Sequence, residues 1–205
     1  MQSGHKRIFF EEKVFLVDEN VYEPAEDSFL FAENLRVNEG ARVLDMGTGC
    51  GILGIVAASM ASEVVAVDVN SCAVRCAKKN AIINGAHDKI AFVIGDLFAP
   101  LSNEFKFDVI IFNAPYLPVE NDEDTSLLSL AWKGGRNGRV LIDRFINQVQ
   151  THLKKCGKVL LLQSTLSGVK ETINEFRQHE FECDTIAECS VPFFETIMLI
   201  EAKKP

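Results

Sequence analysis

Apolar residues in this chain fall into short runs separated by longer segments of mixed polarity. Arg42-Val43-Leu44-Asp45-Met46, Glu63-Val64-Val65-Ala66-Val67 and Val109-Ile110-Ile111-Phe112 have strand length and few polar interruptions, as expected of strands covered on both faces. The pattern predicts a hairpin from Arg7 to Val17 and a helix from Ala25 to Leu35. Strand 42–46, helix 52–60, strand 63–68, helix 71–84, strand 90–95 and strand 107–112 follow. Helix 138–153, strand 157–163, helix 168–178 and two strands near 181–189 and 194–201 complete the order. Strands alternating with helices predict an α/β fold with a mostly parallel, doubly wound sheet. The last two strands have only a short link containing Pro192 between them. A right-handed crossover needs more chain, so they are expected to pair as an antiparallel hairpin at one edge. No Pro/Gly/Ser-rich linker divides the 205 residues, and one domain is expected over 1–205, with 1–40 a hairpin and helix lid and 41–205 the core.

The first core strand runs into Gly47-Thr48-Gly49-Cys50-Gly51, where glycines let the backbone approach a ligand at a helix N-terminus. The second ends in Asp68, about 20 residues beyond the first glycine, where a carboxylate can accept both hydroxyls of a ribose. Gly95-Asp96-Leu97 closes the third strand, where Asp96 can receive an adenine amino group. The segment 49–54 also satisfies G-x-G-x-x-G, so a dinucleotide pyrophosphate is the rival ligand. Three features favour S-adenosylmethionine over NAD. Asp45 stands before the glycines, where an ammonium or a water can be held; Asp96 stands on the adenine side; and an unusual turn follows the fourth strand. Taken singly, each acid can equally be a helix cap or a solvated strand end.

That turn is Asn113-Ala114-Pro115-Tyr116. An amide or exocyclic amino nitrogen is a weak nucleophile, because its lone pair is delocalised. A catalyst must accept both N–H hydrogens and aim the nitrogen at an electrophilic methyl. The Asn113 side-chain oxygen is one acceptor. Pro115 restricts the residue before it to extended backbone, which orients the Ala114 carbonyl as a second. Tyr116 can stack on a planar substrate. The gain would come from positioning and from preferential binding of the transition state, with no activated side-chain nucleophile. On its own, Asn-Ala-Pro is equally compatible with a plain turn after a buried strand.

Val21-Tyr22-Glu23-Pro24-Ala25-Glu26-Asp27-Ser28, Leu44-Asp45-Met46-Gly47-Thr48-Gly49, Phe112-Asn113-Ala114-Pro115-Tyr116 and Ala131-Trp132-Lys133-Gly134-Gly135-Arg136-Asn137-Gly138-Arg139 together resemble the HemK/PrmC family of protein glutamine N5-methyltransferases. They are most similar to its short archaeal and eukaryotic branch, and the resemblance runs from Tyr22 to the C-terminus. It implies a class I, Rossmann-like methyltransferase fold of seven strands, S-adenosylmethionine as cofactor, and the Gly-Gly-Gln glutamine of a class 1 translation termination (release) factor as substrate. It also implies that Ser28, Asp45, Gly47, Gly49, Asp68, Asp96, Leu97 and Asn113 contact the cofactor. Asn113 and the Ala114 carbonyl would hold the glutamine amide, with Pro115 shaping the turn and Tyr116 flanking the substrate. The family's usual turn is Asn-Pro-Pro-Tyr. Ala114 loses the fixed φ of proline there but keeps the main-chain oxygen. Bacterial members carry an N-terminal helical domain that grips the substrate, which the residues before Arg42 are too few to form. The short branch works with a small zinc-binding activator subunit, and the expected seat is the edge strand 89–94, whose Ile90, Phe92 and Val93 would otherwise face solvent.

Net charge is −8 and the basic residues are scattered, which disfavours autonomous nucleic-acid binding and suits a basic protein substrate. Methylation of an exocyclic amine such as adenine N6 on DNA or RNA is the alternative reading, since similar turns serve that chemistry. A cofactor-binding module without catalysis is a third. The six cysteines form no C-x-x-C pair and the four histidines are dispersed, so no metal site is expected. Cys50, in the glycine loop, reads as small apolar packing. With no signal peptide or membrane-length apolar span, the chain reads as cytoplasmic with reduced thiols. The long loop from Pro118 to Arg139 is expected to border the substrate groove, with the acids Glu120 to Asp124 toward a basic partner and Trp132 as anchor.

Overall fold

The computed structural model describes residues 6–119, 126–192 and 195–205. Strands β1 (Lys6–Phe10) and β2 (Lys13–Val17) form an antiparallel hairpin, followed by helix α1 (Glu26–Asn34). The core then runs β3 (Arg42–Met46), α2 (Ile52–Ala57), β4 (Glu63–Asp68), α3 (Ser71–Ile83), β5 (Ile90–Ile94), β6 (Phe107–Asn113), α4 (Val140–His152), β7 (Leu153–Ser164), α5 (Val169–Gln178), β8 (Glu182–Val191) and β9 (Glu195–Lys203). Seven strands form one sheet in the order β5-β4-β3-β6-β7-β9-β8. The first five are parallel. β9 is antiparallel to both β7 and β8, so the closing hairpin inserts β9 into the sheet and leaves β8 at the rim.

The pleat explains why the parallel strands carry so few polar residues. Along β3 and β6, Val43, Val109 and Ile111 join a cluster with α2, α3 and the N-terminal hairpin. Leu44, Met46, Ile110 and Phe112 join a second cluster with α4 and α5. Both faces are dry, as a sheet between two helical layers requires. Strand β7 starts at Leu153, four residues before the expected 157, and two further departures concern α2 and β5. Helix α2 stops at Ala57 because Ser59 N–H and Met60 N–H turn to carbonyls three residues back, while the Met60 carbonyl accepts from Gly40 N–H. Strand β5 is an edge, but Ile90 is buried; Phe92 and Val93 are half-buried, and Ile94, 57% exposed, is its large apolar residue that faces solvent. Expected exposure of Ile90 was therefore wrong, because the start of β5 pairs with Val64 deep in the sheet.

The chain reverses its direction of growth across the sheet between β5 and β6, so the carboxyl ends of β3 and β6 bound a crevice. Register brings those ends level: Met46 pairs with both Val67 and Phe112, and Asp68 pairs with Ile94.

Candidate active site

A cavity of about 340 Å³ opens at that crevice. Its wall includes Ser28, Gly47, Gly49, Asp68, Asp96, Leu97 and the whole Asn113-Ala114-Pro115-Tyr116 turn. Its size suits a nucleoside-sized ligand. Asp45 is the exception among the expected residues. It lies behind the wall, 1% exposed, on the β3 face that meets α2. Its Oδ2 accepts from Thr48 Oγ1 at 2.6 Å and from Gly54 N–H at 3.0 Å, and its Oδ1 is buried without a partner among the described residues. Burial raises its pKa from the ordinary 3.8 to about 7, against the two hydrogen bonds, with a smaller push from Asp68. Asp68 is also raised by burial, although Gly49 N–H and Asn70 N–H donate to it at 2.9 and 2.8 Å.

These bonds decide between the two candidate cofactors. A pyrophosphate needs free N–H groups at the glycine turn and the helix start. Gly49 N–H is taken by Asp68 and Gly54 N–H by Asp45, which leaves neither for a phosphate, and Asp68 stands in the wall as an acid. Carboxylate acceptors in the wall instead suit a ligand that brings ribose hydroxyls as donors and a positive charge, which fits S-adenosylmethionine. Asp96 is paired with Arg144 at 2.6 Å, half-exposed, so an adenine amino group would share that carboxylate with a guanidinium. Leu97, beside it, adopts a φ of 47°, a left-handed backbone unusual for a branched side chain, and its side chain is buried against the pocket. Cys50 is buried and its thiol pKa is pushed up by burial, so it packs and does not attack.

The turn is braced from two sides that sequence alone does not connect. From the N-terminal segment, Asp27, 4% exposed, accepts from Asn113 Nδ2 at 3.1 Å. The Tyr22 hydroxyl donates to both oxygens of the same carboxylate, at 3.2 and 3.1 Å. Burial first, then the charge of Asp27, raises the pKa of both Tyr22 and Tyr116 and keeps them as phenols. The Asn113 Oδ1 is shielded from solvent and has no partner among the described residues.

From the other side comes the described part of the long loop. Leu117 N–H donates to the Trp132 carbonyl and Gly134 N–H to the Leu117 carbonyl, both at 2.9 Å, forming a parallel bridge between Leu117 and Lys133. Gly138 has a φ of 73° and lies so close to the Tyr116 carbonyl that a β-carbon would collide with it. Arg139 then pins the loop to α5, donating to the Ser167 and Gly168 carbonyls, Thr172 Oγ1, Asp143 and Glu175 at 2.7–3.1 Å. Leu127, Leu130, Ala131 and Trp132 line the mouth of the cavity, so this loop borders it; Glu120 to Asp124 lie outside the described residues. Among the described residues no cluster of three or more His, Cys, Asp or Glu side chains could hold a metal, and no helix is long and apolar enough to cross a membrane.

Comparison with known proteins agrees with this geometry. Residues 24–187 match the family model "Methyltransferase small domain". The chain is 45% identical over 89% of its length, and 91% of the relative's, to a Methanocaldococcus jannaschii protein named "Putative protein N5-glutamine methyltransferase MJ0928". It is 35% identical to Methyltransferase HEMK2 of Homo sapiens, over 70% of this chain and 71% of that one. A chain of the E. cuniculi Mtq2-Trm112 complex, responsible for the methylation of the translation termination factor eRF1, superposes with a TM-score of 0.67 at 26% identity, covering 91% of this chain and 99% of that chain. The chain belongs to the methyltransferase small domain family, within its HemK-like branch of protein methyltransferases.

Proposed function

We propose that this chain transfers a methyl group from S-adenosylmethionine to the side-chain amide nitrogen of the Gly-Gly-Gln glutamine in a class 1 release factor. The observation that carries the reading is Asn113 in the wall of an acid-lined cavity, its buried side-chain oxygen without a partner among the described residues, at the end of the strand beside the glycine turn. S-adenosylmethionine supplies an electrophilic methyl on a sulfonium. Ser28, Gly47, Gly49, Asp68, Asp96 and Leu97 hold the nucleoside in this reading, with Asp45 ordering the turn from behind. Asn113 Oδ1 and the Ala114 carbonyl accept the two amide hydrogens of the substrate, and Tyr116 flanks its plane. The nitrogen–carbon bond forms as the carbon–sulfur bond breaks, the bonding pair stays on sulfur, and one amide proton leaves to water. Positioning supplies the rate, since the groups contributed are acceptors and walls.

A small activator subunit accompanies this reading, zinc-binding by resemblance to the short branch and seated along β5. The exposed Ile94 and half-buried Phe92 and Val93 on an unpaired strand edge support that seat. A cytoplasmic location belongs to this reading, and the six free cysteines support it. Adenine N6 methylation on nucleic acid remains the competing reading for the same turn, and the chain's acidic charge disfavours it. Methyl-labelled S-adenosylmethionine, offered to a release factor, its Gln-substituted form and adenine-bearing oligonucleotides, separates the two. Label is expected on the intact release factor alone; label on oligonucleotide and not on protein overturns the assignment.

A further inference from the structure

We propose that Asp27 is a positioning residue whose carboxylate fixes which end of the Asn113 amide is offered to the substrate. The proposal rests on the glutamine methyltransferase reading for its consequence, though not for its geometry. A side-chain amide can rotate by half a turn with little change of shape, exchanging a donor for an acceptor. Strand β6, which ends at Asn113, fixes its backbone and leaves that rotation free. Yet the chemistry needs the oxygen toward the substrate, because an NH2 group there would face the substrate's own NH2.

An ionised carboxylate resolves the choice because it only accepts. Asn113 Nδ2 lies 3.1 Å from Asp27 Oδ2 and 3.5 Å from Ser28 Oγ. The rotated amide would bring its oxygen to that distance from a carboxylate oxygen, acceptor against acceptor. Asp27 itself is held by other donors: the Tyr22 hydroxyl at both oxygens, Ser28 N–H at 2.5 Å and Ser28 Oγ at 3.1 Å. An acid in the first turn of α1 is ordinary, since that end of a helix favours negative charge. A first-turn acid that is 4% exposed and bonded to a side chain 86 residues away has a further task. The Asn113 oxygen, buried and unpartnered among the described residues, is what that bond leaves over, and a substrate N–H would complete it.

The test combines kinetics with a spectrum of the substrate-free protein. The variants are Asp27→Asn, Asn113→Asp and the double exchange, with a release factor as substrate, any required activator subunit present, and cofactor affinity followed by calorimetry. In Asp27→Asn the new NH2 can donate to the Asn113 oxygen, so both orientations are populated. We expect kcat to fall about a hundredfold while cofactor Kd stays within about threefold. The double exchange restores a donor–acceptor pair and leaves an oxygen toward the substrate, so it should recover about tenfold over Asp27→Asn, which a merely structural role would not produce. In the 15N–1H spectrum, an Asn113 side-chain N–H should be shifted downfield and protected from exchange in the native chain, and should lose both in Asp27→Asn. Asp27→Asn with kcat within about threefold of native overturns the proposal, as does a double variant no better than that single one. Should the native chain leave glutamine unmethylated, the functional reading fails, and the spectrum alone decides the geometry. Should Asp27→Asn not fold, the native spectrum decides, and an unprotected Asn113 N–H refutes it.

Discussion

Three glycines with similar left-handed backbones allow the cofactor turn, the loop brace and simple backbone strain to be measured apart. Gly40, Gly49 and Gly138 have φ of 76°, 57° and 73°. Alanine at any of them costs about 1 kcal/mol of backbone strain, which lowers Tm by roughly 2–4 °C in a chain of this size. A β-carbon at Gly40 or Gly49 would meet nothing within 4 Å, whereas at Gly138 it would strike the Tyr116 carbonyl and lie 2.9 Å from Ser167 Cβ. Overpacking at Gly138 adds about 1–3 kcal/mol, so its Tm should fall by roughly 5–15 °C. Gly40, far from the cavity, reports strain alone and should keep full turnover. Gly49→Ala should be as stable as Gly40→Ala but bind S-adenosylmethionine roughly 10- to 100-fold more weakly, because the methyl enters the space the ligand needs. Gly138→Ala should bind cofactor normally and lose turnover, since the displaced Tyr116 backbone carries the turn with it. Thermal unfolding, calorimetry and methyl transfer on the three variants make the measurement. Native cofactor affinity in Gly49→Ala refutes the placement of the cofactor over the glycine turn, and a Gly138→Ala variant indistinguishable from Gly40→Ala refutes the brace.

Asn113→Ala should abolish methyl transfer while leaving cofactor affinity nearly intact, and Ala114→Pro should retain or modestly improve turnover, both read by label incorporation and calorimetry. Asp45 predicts a pH dependence. Because its folded pKa is raised to about 7, the folded state keeps a proton that the unfolded chain releases near pH 4, so stability from this group falls as pH rises between those values and is then level. The loss is at most roughly 4 kcal/mol. Asp45→Asn should flatten that slope, and denaturant titrations from pH 4 to pH 8 with unchanged slope would contradict it.

What the sequence disclosed and what it hid follow from range. The strands were legible because burial on both faces leaves apolar runs such as Val109 to Phe112, and the pocket acids because they follow strand ends directly. The hairpin ending was legible because a connection around Pro192 cannot span a crossover. Asp27 stands in the motif from Val21 to Ser28 but with no role legible there: an acid early in a helix is ordinary, and its contact with Asn113 spans 86 residues. Arg139 stood in a recognisable motif, but its partners on α5 are set by tertiary packing. Asp45 was found by position and misjudged in depth, since the pleat of β3 turns it toward α2 and away from the cavity wall.

Asn80 shows how such hidden contacts join the N-terminal segment to the cofactor turn. Fully buried on α3, its Oδ1 accepts from Leu16 N–H at 2.8 Å, and its Nδ2 donates to the Leu16 carbonyl at 2.9 Å and to the Cys50 carbonyl at 2.8 Å. One amide thus grips strand β2 and the glycine loop together. Asn84, one turn on, grips β2 alone, through Val14 N–H at 3.1 Å and the Val14 carbonyl at 2.9 Å, and its remaining bond is to α3 itself. Removing Asn80 takes the side-chain partner from Leu16 N–H and the Cys50 carbonyl, while the Leu16 carbonyl keeps the Cys76 thiol, so at about 1–3 kcal/mol for each orphaned group Asn80→Ala should lose roughly 2–6 kcal/mol of stability. The two variants should differ in kind. Both loosen the hairpin, but only Asn80→Ala frees the loop that carries Gly49 and Gly51, so only it should weaken S-adenosylmethionine binding in calorimetry at a temperature where both remain folded. If both variants bind the cofactor equally well, the hairpin is docked on the core without being coupled to the site, and the N-terminal segment acts on it only through the residues from Tyr22 to Ser28 that line the cavity.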